Sequence, residues 1–203
     1  MATVTTEMSM SLDGYIADPS DGVEHLFGWY SNGDVAVPSA DPRWTWHVSA
    51  ASAGHVRDGL ANVGALVSGR RLFDHTGGWG GSHPYGAPVF VVSHSVPEGW
   101  PREDAPFTFV TDGIESALAQ AKTTAGEKMV AVAGPNIAQQ CLNAGLLDEI
   151  VVNLVPVLLG EGIPFFDNLS SAPVELEGPR VIEGTGVTHL YYRVRRPDRG
   201  AAR

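Results

Sequence analysis

From Leu147 to Val157 the chain runs almost unbroken through apolar side chains. The run is too short to cross a bilayer and too apolar to leave one face in water, so it reads as a strand covered on both sides. Such strands sit in the middle of a sheet sandwiched between helices, and parallel pairing with helical crossovers is the usual way to build one. That single segment therefore points toward an α/β fold.

The remaining pattern agrees. Thr3–Met10 alternates weakly and ends in the turn Ser11-Leu12-Asp13-Gly14. Gly64–Val67, Pro88–Val92, Phe107–Val110 and Lys128–Ala133 read as short buried strands. Between them, helices are predicted over Arg43–Leu60, from Ser68 onward, and over Gly113–Ala125, where Ile114, Ala117, Leu118 and Ala121 share a face. Another begins at Pro135, a residue suited to a first helical turn, and closes at Gly145. Residues 18–42, rich in Asp, Gly, Pro and Ser, read as a long loop. Val174–Ile182 and Val187–Val194 flank Gly184-Thr185-Gly186 as a closing antiparallel pair. The expectation is a mostly parallel central sheet of about eight strands with an antiparallel C-terminal edge and about four flanking helices. One domain spanning residues 1–196 is expected, followed by a disordered tail over 197–203.

Composition narrows the function. A net charge of -10 argues against nucleic acid, which asks for a clustered basic surface. The single cysteine, Cys141, has no internal disulfide partner, and the N-terminal residues lack a basic stretch followed by an apolar core. A cytoplasmic protein with no membrane segment is expected. The seven histidines show no metal-ligand spacing, so no metal is expected. Gly-x-Gly-x-x-Gly, Walker and nucleophile-elbow motifs are absent.

Three strand-to-turn junctions carry chemistry. At Ser68-Gly69-Arg70-Arg71 a glycine opens a helix start beside two arginines. Free backbone N–H groups, the positive dipole end and the guanidinium charge all favour phosphate there. Ala133-Gly134-Pro135-Asn136-Ile137 is a second strand, tight turn and helix start, and Phe90-Val91-Val92-Ser93-His94-Ser95 ends a strand in hydroxyls and an imidazole. Each alone also suits an ordinary surface turn.

Together with Ser11-Leu12-Asp13-Gly14-Tyr15-Ile16-Ala17 and Pro156-Val157-Leu158-Leu159-Gly160-Glu161-Gly162, these motifs resemble the dihydrofolate-reductase-like superfamily. The pattern is nearest to the reductase domain of bacterial riboflavin biosynthesis and its stand-alone relatives. The resemblance implies an NADPH site: Ile16 and Ala17 beside the nicotinamide, and Gly69, Arg70, Arg71 and Leu72 at the pyrophosphate and adenosine phosphate. It also implies Ser93 and His94 at the 2′-phosphate and adenine, with Ala133, Gly134, Pro135, Asn136 and Ile137 cradling the pyrophosphate. The implied activity is hydride transfer to a C=N or C=O bond of a small cyclic or planar substrate. The acid that dihydrofolate reductases carry on their first long helix has no clear counterpart, since Arg43–Leu60 offers only Asp58 near the wrong end. No catalytic residue is therefore assigned. A non-catalytic nucleotide- or flavin-binding protein on the same fold is the alternative. Asp13, in Asp-Gly, reads as a turn former. Trp29, Tyr30, Trp44, Trp46 and Trp79 are candidates to stack on a flat substrate, Trp29, Trp46 and Trp79 foremost. The apolar stretch from Ile150 to Leu159 suggests a homodimer.

Overall fold

A computed structural model describes residues 2–170 and 172–195. The chain opens with β1 (Val4–Ser11) and β2 (Tyr15–Ala17), then α1 (Glu24–Phe27) and a 3-10 turn at Gly28–Ser31. There follow β3 (Val35–Pro38), β4 (Thr45–Val48), α2 (Ala50–Asn62), β5 (Val63–Gly69) and α3 (Arg70–His75). After a second 3-10 turn at Gly77–Gly81 come β6 (Val89–Val92), β7 (Phe107–Val110), α4 (Ile114–Ala125), β8 (Met129–Ala133) and α5 (Pro135–Asn143). The chain closes with β9 (Glu149–Val155), β10 (Ile163–Pro164), β11 (Leu176–Gly184) and β12 (Val187–Val194).

Eight strands form the central sheet in the order β11-β12-β9-β1-β8-β5-β6-β7. The six from β9 to β7 are parallel, and β12 and β11 add antiparallel at one edge, as expected. β9 holds the central place its composition asked for. Ile150 and Val152 face the core under α4 and α5, while Val151, Asn153 and Val155 face the opposite side, where Val155 packs with α2. The apolar run that suggested a dimer is thus spent inside the subunit, between β1 and β12. A short apolar patch remains outside at Leu12 and Leu158.

Two expectations need correcting. The helix predicted from Arg43 begins at Ala50, and Thr45–Val48 is a strand paired with β3. Alternation explains it: Trp46 and Val48 turn inward while Thr45 and His47 stay exposed. Ser49 then supplies the cap, its side chain accepting from the Ser52 N–H at 3.3 Å. The supposed loop over 18–42 is a small lobe, pinned by fully buried Leu26 and by Trp29 and Val37, each 2% exposed. Five α-helices, two of them very short, stand among the described residues where about four were expected. The tail expected over 197–203, and Arg196 before it, lie outside the described residues.

Candidate active site

At the carboxyl ends of β1, β5 and β8 the sheet opens into a groove of about 430 Å³. Open α/β sheets bind ligands at this edge, because helix N-termini and loose turns collect there. Two sets of side chains line it.

The first set comes from the glycine turns. β5 passes directly into α3 at Gly69-Arg70, and β8 into α5 through Gly134, whose φ of +95° is a conformation that L side chains rarely adopt. No side chain caps α5, so its first backbone N–H groups are left facing outward. The two turns touch: a Cβ at Gly69 would come within 3.2 Å of Ile137 Cγ1. Gly69, Arg71, Leu72 and Gly134 to Ile137 all line the groove, as do Ile16 and Ala17 on β2. β2 is held there by its antiparallel pairing with β10. Asp13 is the turn former that its Asp-Gly context predicts. It accepts from the Ser11 hydroxyl at 2.5 Å and from the Gly160 N–H at 2.7 Å, tying the turn after β1 to the turn after β9.

Arg70, Ser93, His94 and Ala133 stand outside this lining. Arg70 pairs with Asp74 at 2.8 Å and donates to the Ser95 carbonyl at 3.3 Å, so it leans over the turn that carries Ser93 and His94. Ser93 closes that turn by donating to the same carbonyl at 2.6 Å. Arg71 points the other way, to Asp21 at 2.8 Å, along the groove. The two arginines therefore serve different places.

Of the second set only Tyr30 was among the aromatic residues read from the sequence. Glu7 on β1, Phe27, Tyr30, Tyr85 and Asn153 form an aromatic-walled end with one carboxylate. None of the candidate tryptophans, Trp29, Trp44, Trp46 and Trp79, lines the groove. Trp29 is buried behind Tyr30, its ring stacked on it at 3.8 Å and its N–H donated to Ser9 Oγ at 3.0 Å. Trp46 also backs Tyr30, at 6.0 Å. Trp79 joins a separate aromatic cluster with His83 and Phe107. Large rings gain more by burial than by lining a wet groove, so they support the wall from behind.

Glu7 is about one-quarter exposed, with a side-chain accessibility of 24%. Its Oε1 accepts from Asn153 Nδ2 at 2.8 Å and lies 3.0 Å from His55 Nε2. Desolvation acts to raise its pKa, but the charge and hydrogen bond of His55, with that of Asn153, outweigh this and hold it below the usual carboxylate range. Behind it, fully buried His189 bonds Asn153 Oδ1 at 2.6 Å and Ser52 Oγ at 2.9 Å. Burial, then the neighbouring His55, pushes the His189 pKa down to about 4. Among the described residues no buried side-chain nitrogen or oxygen lacks a partner.

A crossover α/β sheet with an antiparallel edge, carrying glycine turns over one end of its groove, defines the dihydrofolate-reductase-like fold class. Within that class the chain belongs to the RibD C-terminal domain family, which it matches over residues 2–183. It is similar to a protein from Shewanella sp. PV-4 named for riboflavin biosynthesis, at 28% identity and a TM-score of 0.70, covering 97% of this chain and all of that one. It is 23% identical over 164 residues to the uncharacterized protein YwjB of Bacillus subtilis, 81% of this chain and 82% of the relative. Its fold is also that of dihydrofolate reductase from Enterococcus faecalis, solved with NADP(H), at 14% identity, a TM-score of 0.56 and coverage of 96% and 97%.

Proposed function

We propose that this protein is an NADPH-dependent reductase acting on a C=N or C=O bond of a small planar substrate. The observation that carries this reading is the composition of the groove: glycine turns and a helix N-terminus without a side-chain cap line part of it, and an aromatic wall with a carboxylate lines the rest. The family and the NADP(H) complex of the Enterococcus faecalis enzyme support the same cofactor.

The residues present fit a dinucleotide. Gly134 has no side chain in the space beside the α5 N-terminus, and Cβ atoms at Gly69 and Gly134 would project toward Ile137 and Leu72, both of which line the groove. The N–H groups of α5 with Arg71 would hold the pyrophosphate, while Arg70, Ser93 and His94 would hold the 2′-phosphate. Ile16 and Ala17 would pack on the nicotinamide. Bound there, the cofactor supplies the hydride. The chain itself orients the acceptor against the Phe27, Tyr30 and Tyr85 rings and limits water around it. The low-lying net charge makes local cations the source of phosphate affinity, so binding should weaken as salt rises.

Fluorescence titration with NADPH, NADH, FMN and FAD tests the reading. Charge-assisted contacts to a 2′-phosphate contribute about 1.5–3 kcal/mol each, so NADPH should bind at least roughly tenfold more tightly than NADH. Equal dissociation constants refute the NADPH assignment. Binding of a flavin alone selects the non-catalytic or flavin-binding alternative.

A further inference from the structure

A second cavity, of about 520 Å³, opens at the opposite end of the same strands. Thr5, Met129 and Glu149 line it, near or at the first residues of β1, β8 and β9, with Asn62 at the end of α2. Glu7 borders both this cavity and the groove. Between them runs a short hydrogen-bonded chain. Tyr191 on β12 places its hydroxyl 2.6 Å from His55 Nδ1, and His55 Nε2 lies 3.0 Å from Glu7 Oε1. His55 is 6% exposed and both its ring nitrogens are committed to this chain. Tyr191 and His55 line the far cavity but not the groove.

The strand register explains why these groups meet. Odd-numbered residues of β1, β9 and β12 share the face that α2 covers, and Tyr191 pairs with Val151 in the same row as Glu7. Apolar side chains would fill that row as well, and at lower desolvation cost. A carboxylate, an imidazole and a phenol stand in series between the two cavities instead.

We propose that Glu7 is the proton donor of the reduction, and that His55 and Tyr191 refill it from the far cavity. The proposal rests on the reductase reading above, in which every hydride delivered to carbon requires one proton on the acceptor nitrogen or oxygen. The proton leaves His55 Nε2 for Glu7, whose soft terminal torsion turns it into the groove. It then bonds to the acceptor atom as the C=N or C=O π bond breaks and the hydride forms the new C–H bond. In the same movement His55 Nδ1 takes the hydroxyl proton of Tyr191, so the imidazole stays neutral, and a proton from bulk solvent entering through the far cavity restores the phenol. One hydride and one proton enter the product, and the protein ends with its original proton count. His55 and Tyr191 act through Glu7 and are positioning residues. Burial, as the largest influence, holds the Tyr191 phenol protonated, while Arg180 over its ring at 3.6 Å acts the opposite way and steadies the transient phenolate. The groups facing this chain are Asp58 from α2, Asn153 from β9, His189 from β12, Arg180 from β11, and Tyr30 and Tyr85 from the groove wall.

The test uses full-length protein with NADPH and two cyclic imines, dihydroisoquinoline and a methylpyrroline, comparing Glu7→Gln, His55→Gln and Tyr191→Phe with the parent. Removing a general acid costs about 100-fold or more, so Glu7→Gln should lower kcat by that order with an unchanged Kd for NADPH. Tyr191→Phe, remote from the groove, should lower kcat roughly tenfold at constant KM, change the solvent deuterium isotope effect and leave the hydride isotope effect intact. Ring-nitrogen NMR shifts of His55, read without any acceptor, should move at Nε2 in Glu7→Gln and at Nδ1 in Tyr191→Phe. Parental kcat in Glu7→Gln, or His55 shifts unmoved by both variants, overturns the relay. A parent that binds no NADPH refutes the reductase reading itself, which a separate titration detects.

Discussion

Replacing Gly134 by alanine isolates backbone geometry from crowding. The residue has φ +95° and ψ 140°, and the nearest foreign atom to an added Cβ is Leu72 Cδ2 at 3.9 Å, an ordinary contact. Space is therefore available and the conformation is not. A non-glycine residue held in so sparsely populated a region costs about 1–3 kcal/mol. For a chain of 203 residues each kcal/mol moves the melting point by about 2–4 °C, so a fall of roughly 2–12 °C is expected. Gly69→Ala is the control with the opposite balance. Its φ of −86° suits any residue, but the added Cβ would sit 3.2 Å from Ile137 Cγ1. A flexible isoleucine can yield by a few tenths of an ångström, and alanine lowers the entropy of the unfolded chain, so Gly69→Ala should melt within about 1 kcal/mol of the parent. Urea titration and thermal melts of both variants decide it. The reasoning fails if Gly134→Ala melts within a degree of the parent while Gly69→Ala falls further. Gly134→Val adds bulk to the same strain, so its loss of NADPH affinity beyond that of the alanine variant measures how close the pyrophosphate lies.

Arg70→Ala should erode the preference for NADPH over NADH by at least roughly tenfold, because Arg70 leans on the Ser93–Ser95 turn, whereas Arg71→Ala should weaken both cofactors alike. Equal losses in both variants would place the 2′-phosphate elsewhere. Stability should fall as pH drops from 6.5 toward 4, since the unfolded chain takes up a proton at His189 that the buried imidazole, with its pKa near 4, refuses. At about 1.4 kcal/mol per pKa unit the effect is on the order of 3 kcal/mol, and a flat profile in urea melts across that window contradicts it. Asp13, held below its ordinary 3.8 chiefly by the Ser11 hydroxyl, stabilises the fold above that pH and ceases to as pH falls through its lowered value. Asp13→Asn should therefore flatten the acid limb below about pH 4, and an unchanged limb rules the carboxylate out as its source.

The architecture was legible because periodicity reports burial directly. β9 and the amphipathic α4 follow from which residues are apolar and how far apart they stand, and both lie where that pattern put them. The segment from Arg43 misled because Trp46 and Val48 alternate over only four residues, too short a run to stand out ahead of α2, and the pairing with β3 is what makes it a strand. The turns at Gly69 and Gly134 that line the groove were readable because glycine and proline act locally on the chain. Glu7 was not, since a lone acid in a weakly alternating strand acquires meaning only from Asn153, a neighbour 146 positions away, and from His55. Trp29 and Trp46 stand behind the wall for a simpler reason: sequence gives a ring's size, and size draws it under Tyr30 instead of onto the surface.

The two ends of the groove are carried by different parts of the chain. The turns at Gly69 and Gly134 grow straight out of the central sheet, whereas Phe27 and Tyr30 ride on the lobe between β2 and α2, anchored by its own buried Leu26, Trp29 and Val37. The lobe shares its core with α2, β9 and β12 through Ala53, Val56, Val155 and Val187, so its aromatic residues vary against a fixed backing. On the reductase reading proposed above, exchanging residues 18–49 among relatives is expected to change which acceptor is taken while the turns at Gly69 and Gly134 stay as they are.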